Sequence, residues 1–76
     1  MSLVLDVAVE VLEPYVGRAL ADTCMRAGAL SEGRLPDDLT PDDLPCIENA
    51  ARKLLSAVAP QDTIDSVVAD IRAGVR

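Results

Sequence analysis

The run Leu3-Val4-Leu5-Asp6-Val7-Ala8-Val9-Glu10-Val11-Leu12 is apolar at every position but two. Leaving such a segment in water is costly, so the fold has to be arranged around it. Its β-branched residues, and the alternation Leu3, Leu5, Val7, Val9, Val11, suit a strand. Against that, Asp6, Glu10 and Glu13 recur at spacings of four and three, which draws a polar stripe down one side of a helix. A lone strand would also find no pairing partner in the rest of the chain. The expectation is a helix over 3–12, apolar on nearly every side and in need of cover on more than one face.

Pro14 then falls where a second helix can begin, at the first helical position, where its missing N–H costs nothing. Over 14–27, Arg18, Asp22 and Arg26 line one face at i, i+4 spacing and Val16, Leu20, Thr23 and Ala27 another. Gly28 reads as a stop. Gly17, Ala21, Cys24 and Gly28 form a third face made of small residues. A glycine inside a helix costs about 1 kcal/mol relative to alanine, and close approach of another helix is the expected compensation.

Residues 29–40 read as a linker with turn chemistry at Gly33 and Pro36. A near-repeat follows, Pro36-Asp37-Asp38-Leu39 and then Pro41-Asp42-Asp43-Leu44. Its second copy is a helix start, with Thr40 as N-cap, Pro41 as first helical residue and two aspartates at the positive end of the dipole. Pro45 deletes one backbone bond, so a short first turn and a reset near Pro45 are expected. The third helix, 41–58, places Ile47, Ala51, Leu54 and Val58 on its core stripe and lets Glu48 pair with Arg52. Ala59-Pro60 closes it. The last helix, 61–73, has the cleanest stripe, Ile64, Val67, Val68, Ile71 and Val75, and Gly74 reads as its end. The predicted architecture is all-α, a single small domain over 1–76 resembling a four-helix bundle.

Half of the 76 residues are hydrophobic, yet Tyr15 is the single aromatic. The core must be aliphatic, each larger side chain contributing roughly 1.5–3 kcal/mol when buried. A chain of this length buries only about 60% of its unfolded surface, so a second copy or a partner is a natural source of further burial.

Seven basic residues against thirteen acidic ones, a net charge of −6, argue against nucleic acid and against anionic membranes as partners. Residues 3–12 are also too short to span a bilayer. Histidine is absent, which removes the commonest general base and metal ligand. Cys24 and Cys46 lack CxxC spacing and read as free thiols of a cytoplasmic protein. The aspartates at 37, 38, 42 and 43 come in adjacent pairs separated by prolines, without the alternation and glycine of a calcium loop, so capping and solubility account for them. No residue pattern forces a carboxylate into an apolar pocket, and no Gly-rich phosphate loop is present. The expectation is a protein that is not an enzyme, with no cofactor, no metal and no small-molecule substrate.

One alternative belongs to another class. Length, acidity and helix number suit an acyl carrier protein, and Ile64-Asp65-Ser66-Val67-Val68 resembles the Asp-Ser-Leu motif that bears the phosphopantetheine arm. In carriers that serine opens the second helix near mid-chain, whereas Ser66 lies inside the expected last helix.

The stretch Leu12-Glu13-Pro14-Tyr15-Val16-Gly17-Arg18-Ala19, with Met25-Arg26-Ala27 after it, resembles short helical accessory domains appended to bacterial serine/threonine kinases and cyclases. Tyr15, Val16, Gly17, Arg26 and Ala27 match a Tyr-Ile-Gly-Pro-Ile-Ala pattern followed by an Arg-Ala pair. Arg18 stands where that family has proline. The resemblance covers residues 12–27, about a fifth of the chain, and implies a non-catalytic module of bacterial signal transduction. It brings no catalytic or binding residues with it. With the apolar first helix and the small-residue face, this points to a protein–protein interaction or dimerisation module. A homodimer is the expected form, with Val7, Val11, Tyr15, Gly17, Ala21 and Cys24 in the contact region.

Overall fold

The computed structural model describes residues 3–75. Among them the chain forms four α-helices: α1 (Leu3–Val16), α2 (Arg18–Ser31), α3 (Leu44–Leu55) and α4 (Gln61–Val75). Two single 3₁₀ turns, Pro36–Asp38 and Pro41–Asp43, lie between α2 and α3, and no strand occurs among the described residues. The all-α, bundle-like class expected from the pattern is the one observed, and residues 3–12 are helical.

α1 is the helix against which the other three pack. Val4, Leu5, Ala8, Val9 and Leu12 are buried on it, and Val7 and Val11 are half-buried against the same core. Asp6, Glu10 and Glu13 remain on its solvent side, as their spacing requires. α2 contributes Ala21, Met25 and Ala29, α3 contributes Ile47, Ala51 and Leu55, and α4 contributes Ile64, Val67, Val68, Ile71 and Val75. The radius of gyration is 10.9 Å, close to the value of about 11 Å expected of a folded chain this long. An aliphatic interior rich in alanine therefore closes to ordinary compactness.

Several boundaries differ from the sequence expectation, each for a local reason. Pro14 does not start a second helix; it lies inside α1, which continues to Val16. The amide hydrogen it lacks would have served the carbonyl of Glu10, and both residues face solvent, where water can replace that bond. The actual break is Gly17, at φ 85° and ψ 155°. That backbone region is accessible in practice only to glycine. Gly17 closes α1 by donating its N–H to the carbonyl of Glu13 at 2.9 Å. Its own carbonyl accepts from the N–H of Ala21 at 3.0 Å, the first bond of α2. One residue thus ends one helix and begins the next.

Gly28 is not a stop, since α2 runs on to Ser31. The terminating glycine is Gly33, at φ 75°. Its N–H reaches the carbonyl of Leu30 at 3.0 Å, and the N–H of Arg34 reaches that of Ala29 at 2.9 Å. This pair of bonds is a Schellman cap, which satisfies carbonyls that the helix end leaves over. Gly74 likewise lies inside α4 and not after it; a Cβ there would come within 2.7 Å of Val7 Cγ1, so its smallness lets α4 close on α1.

The Pro-Asp-Asp-Leu repeat turns out to be a repeated structure. Each copy makes a 3₁₀ turn and then buries its leucine, Leu39 and Leu44. At the second copy the Thr40 N–H donates to the Asp43 carboxylate at 3.0 Å while the Asp43 N–H donates to the Thr40 carbonyl at 2.8 Å. The expected reset near Pro45 is present, with α3 starting at Leu44. α3 then ends at Leu55, earlier than the expected 58, and Ser56 Oγ donates to the carbonyl of Lys53 just past its end. Val58 consequently leaves the predicted core stripe and is 63% exposed, while Leu55 is buried in that stripe.

Gly17 generates a prediction that separates strain from packing. Nothing lies within 4 Å of the point where its Cβ would stand. Gly17→Ala and Gly17→Leu should therefore each destabilise by about 1–3 kcal/mol, from backbone strain alone. Urea titrations should give the two variants midpoints close to one another. A leucine variant much weaker than the alanine variant would mean that packing dominates at this corner.

Candidate contact surface

The residues expected to form a contact region do not gather on one face. Val7 and Val11 turn inward and are half-buried against the core, Val7 lying beside Gly74. Ala21 is fully buried within the protein's own interior. Gly17 is at the α1–α2 corner, where its role is conformational and not close packing. Tyr15, two residues before it, is 48% exposed. Cys24 sits on the half-buried side of α2 that faces α3.

That last position opens onto a concavity with a largely apolar lining. α2 and α3 run antiparallel, and they meet where Gly28 lies against Ala50: a Cβ on Gly28 would fall 2.5 Å from Ala50 Cβ. Helix axes approach most closely where the residues between them are smallest. Above this contact lies a groove of about 410 Å³. Its walls are Cys24, Ala27, Gly28 and Ser31 from α2 and Cys46, Ala50 and Leu54 from α3, with Glu32, Asn49 and Lys53 around the rim. The small-residue face read from the sequence is thus divided: Ala21 goes to the core, Gly28 to the helix contact and Cys24 to the groove.

Both thiols are free. Cys46 Sγ donates to the carbonyl of Gly28 at 3.5 Å. Its pKa is raised, first by burial and then by the nearby carboxylates of Glu32 and Asp43, with Arg34 opposing. The neutral thiol is the form that can donate this bond, and it is a poor nucleophile. The groove is thus better suited to contact than to thiolate chemistry.

A second groove, of about 320 Å³, separates α3 from α4 and is polar. Here the expected Glu48–Arg52 pair is replaced by two pairs between helices. Arg72 holds the buried Glu48 carboxylate through two bonds at 2.8 and 3.1 Å, and Arg52 reaches Asp65 at 2.8 Å. The reason is direction: Glu48 lies on the buried side of α3, where α4 supplies the nearest guanidinium. Likewise Arg26 pairs with Asp22 as expected, but Arg18 turns back across the corner to Glu13. Among the described residues no group of three or more His, Cys, Asp or Glu side chains is placed to hold a metal. Ser66 is exposed on α4, within the helix and away from its start.

Sequence reasoning missed Cys46, Ala50, Lys53 and Leu54 as one wall. The available signal was the series Cys46, Ala50, Leu54, one residue per turn beside the core stripe.

Two predictions follow from these contacts. Gly28→Ala should destabilise by about 1–3 kcal/mol through overpacking on Ala50. Adding Ala50→Gly should relieve the clash and bring stability back close to wild type, since one helical glycine is removed at 28 and one is introduced at 50; a double variant no better than the single one would show that the contact is not limiting. For Asp65, hydrogen bonds from Arg52 and then Gln61 hold the carboxyl below the usual aspartate range. A depressed folded-state pKa adds stability above the unfolded value and loses it as pH falls through the folded one. Melting curves of Asp65→Asn should accordingly show a smaller fall from neutral to acidic pH than the wild type, and an unchanged fall would remove Asp65 from the acid response.

No helix among the described residues is long and apolar enough to cross a membrane. No protein-family model, characterised protein or solved structure matches this chain.

Proposed function

We propose that this chain is a non-catalytic helical contact module that works by self-association or by docking on a protein partner. The observation that carries the reading is the α2–α3 groove, whose walls are short apolar side chains open to solvent. Leu20, one turn before Cys24 on α2 and 48% exposed, extends apolar surface past the groove. Clustered apolar surface of this kind is the usual mark of an interaction site. The resemblance of residues 12–27 to accessory domains of bacterial kinases and cyclases supports a place in bacterial signal transduction. The residues that carry it, Tyr15, Val16 and Gly17, build the α1–α2 corner. Two free thiols support a cytoplasmic setting.

Light scattering across a dilution series at neutral pH tests the reading. The expected result is a molar mass above the single-chain 8.0 kDa that falls toward it on dilution. A single-chain mass at every concentration would count against self-association and move the contact to a heterologous protein. Intact mass after incubation with a phosphopantetheinyl transferase and coenzyme A should stay unchanged. Gain of the arm at Ser66 would overturn the contact-module reading in favour of a carrier protein.

A further inference from the structure

Two charges around the α2–α3 groove stand outside the ion pairs of the described residues. Each described arginine is engaged in an ion pair: Arg18 with Glu13, Arg26 with Asp22, Arg34 with Asp43, Arg52 with Asp65 and Arg72 with Glu48. Lys53 is the one described cation outside this set, and it stands on the groove rim. Glu32, on the same rim, also forms no ion pair among the described residues. The two are not neighbours. Glu32 acts on the Cys46 thiol and so marks that end of the groove. Lys53 lies seven residues further along α3, a distance of about 10 Å.

An apolar trough with one unpaired acid at one end and one unpaired base at the other is complementary to itself. A two-fold axis in the plane of contact, perpendicular to the line joining the two side chains, exchanges their positions. Each Glu32 then meets Lys53 of the second copy, and both pairs form together. We propose that this groove is the surface through which two copies of the chain associate. Cys24, Ala27, Ala50 and Leu54 form its apolar centre, and the two Glu32–Lys53 pairs fix its register. The proposal rests on the contact-module reading and names its face and its partner.

Charge also favours a second copy here over the exposed sides of α1 and α4. With a net charge of −6, two copies repel in general. Asp6 and Glu10 on α1, and Asp62 and Asp70 on α4, are exposed and form no ion pair among the described residues. Bringing two copies together over those helices would oppose like charges, whereas the groove rim is locally neutral. The face is about 20 Å on a side, two helices wide, which belongs to the small class of reversible interfaces. The dimer should therefore dissociate on dilution.

The test uses the whole chain, with circular dichroism of each variant confirming native helix content. Glu32→Lys and Lys53→Glu should each weaken association by about tenfold or more, since either one sets like charges opposite each other twice. The double exchange, Glu32→Lys with Lys53→Glu, should restore it. Ala27→Arg, on an exposed position of the trough, should give a single-chain mass while keeping the fold. A wild-type dimer indifferent to all four variants would overturn the assignment of this face and leave the module reading standing. Loss in the single exchanges without recovery in the double would overturn the Glu32–Lys53 pairing. A wild type that is single-chain at every concentration hands the groove to a partner of another kind and also overturns the proposal.

Discussion

Val4, Leu5, Ala8, Val9 and Leu12 leave water only because α2, α3 and α4 each lay a side against α1. α3 also touches the other three helices, but α1 has the broader apolar surface. α2 buries only Ala21, Met25 and Ala29, and α3 and α4 each have one apolar stripe with a charged opposite side. Enclosing α1 requires the chain to double back immediately after it, and Gly17 supplies the left-handed backbone that lets this happen without a loop. The core that results has no aromatic ring; its largest fully buried side chains are Leu12, Met25, Ile47, Leu55 and Ile71. Stability rests on many aliphatic burials of a few kcal/mol each, so close fit between helices matters more here than in a core anchored by large rings.

That fit was only partly legible beforehand. The α4 stripe could be read directly because all five of its apolar positions obey one period and no competing signal interrupts them. The helical state of 3–12 was readable from its three acids, although its β-branched content pointed the other way. The prolines and glycines were harder, since each has two physical uses that look alike in a sequence. Pro14 can open a helix or sit in its last exposed turn. Gly17 and Gly28 can each provide positive φ or a close approach, and here they divide those uses: Gly17 has open space around its missing Cβ, whereas Gly28 has Ala50 against it. The deciding quantity in both cases is what faces the residue from another part of the chain, which local spacing does not contain.

The same limit explains the ion pairs. Spacing along a helix proposes partners one turn away, and it succeeds for Arg26 and Asp22, which share an exposed face. It fails for Glu48, because a carboxylate on the buried side of α3 meets α4 before it meets solvent. Pairing with Arg72 satisfies that buried charge, which would otherwise be costly to hold, and it ties α3 to α4 near the end of the chain. The expected contact residues are dispersed over the fold for a related reason. Val7, Val11 and Ala21 looked like surplus apolar surface only while α1 and α2 were considered one at a time; once the helices pack, these residues become part of what holds the fold together.

The groove arises from the same cause as the compactness. Where Gly28 meets Ala50, the axes of α2 and α3 draw together, which helps an aliphatic core reach ordinary density. The neighbouring side chains on the outer side of that contact are short, so drawing the helices together leaves a trough above them. Filling the trough with larger residues would remove the groove but would also press on the Gly28–Ala50 contact beneath it. A sequence that closes its interior with small residues is therefore left with an external depression of the same composition. Whether such a depression is inert depends on its rim. Here the rim carries the one described cation outside an ion pair and a carboxylate also left unpaired, at opposite ends, while the other unpaired charges among the described residues are acidic. That distribution makes the trough a place where a second acidic copy meets no net repulsion and finds charges left to pair with.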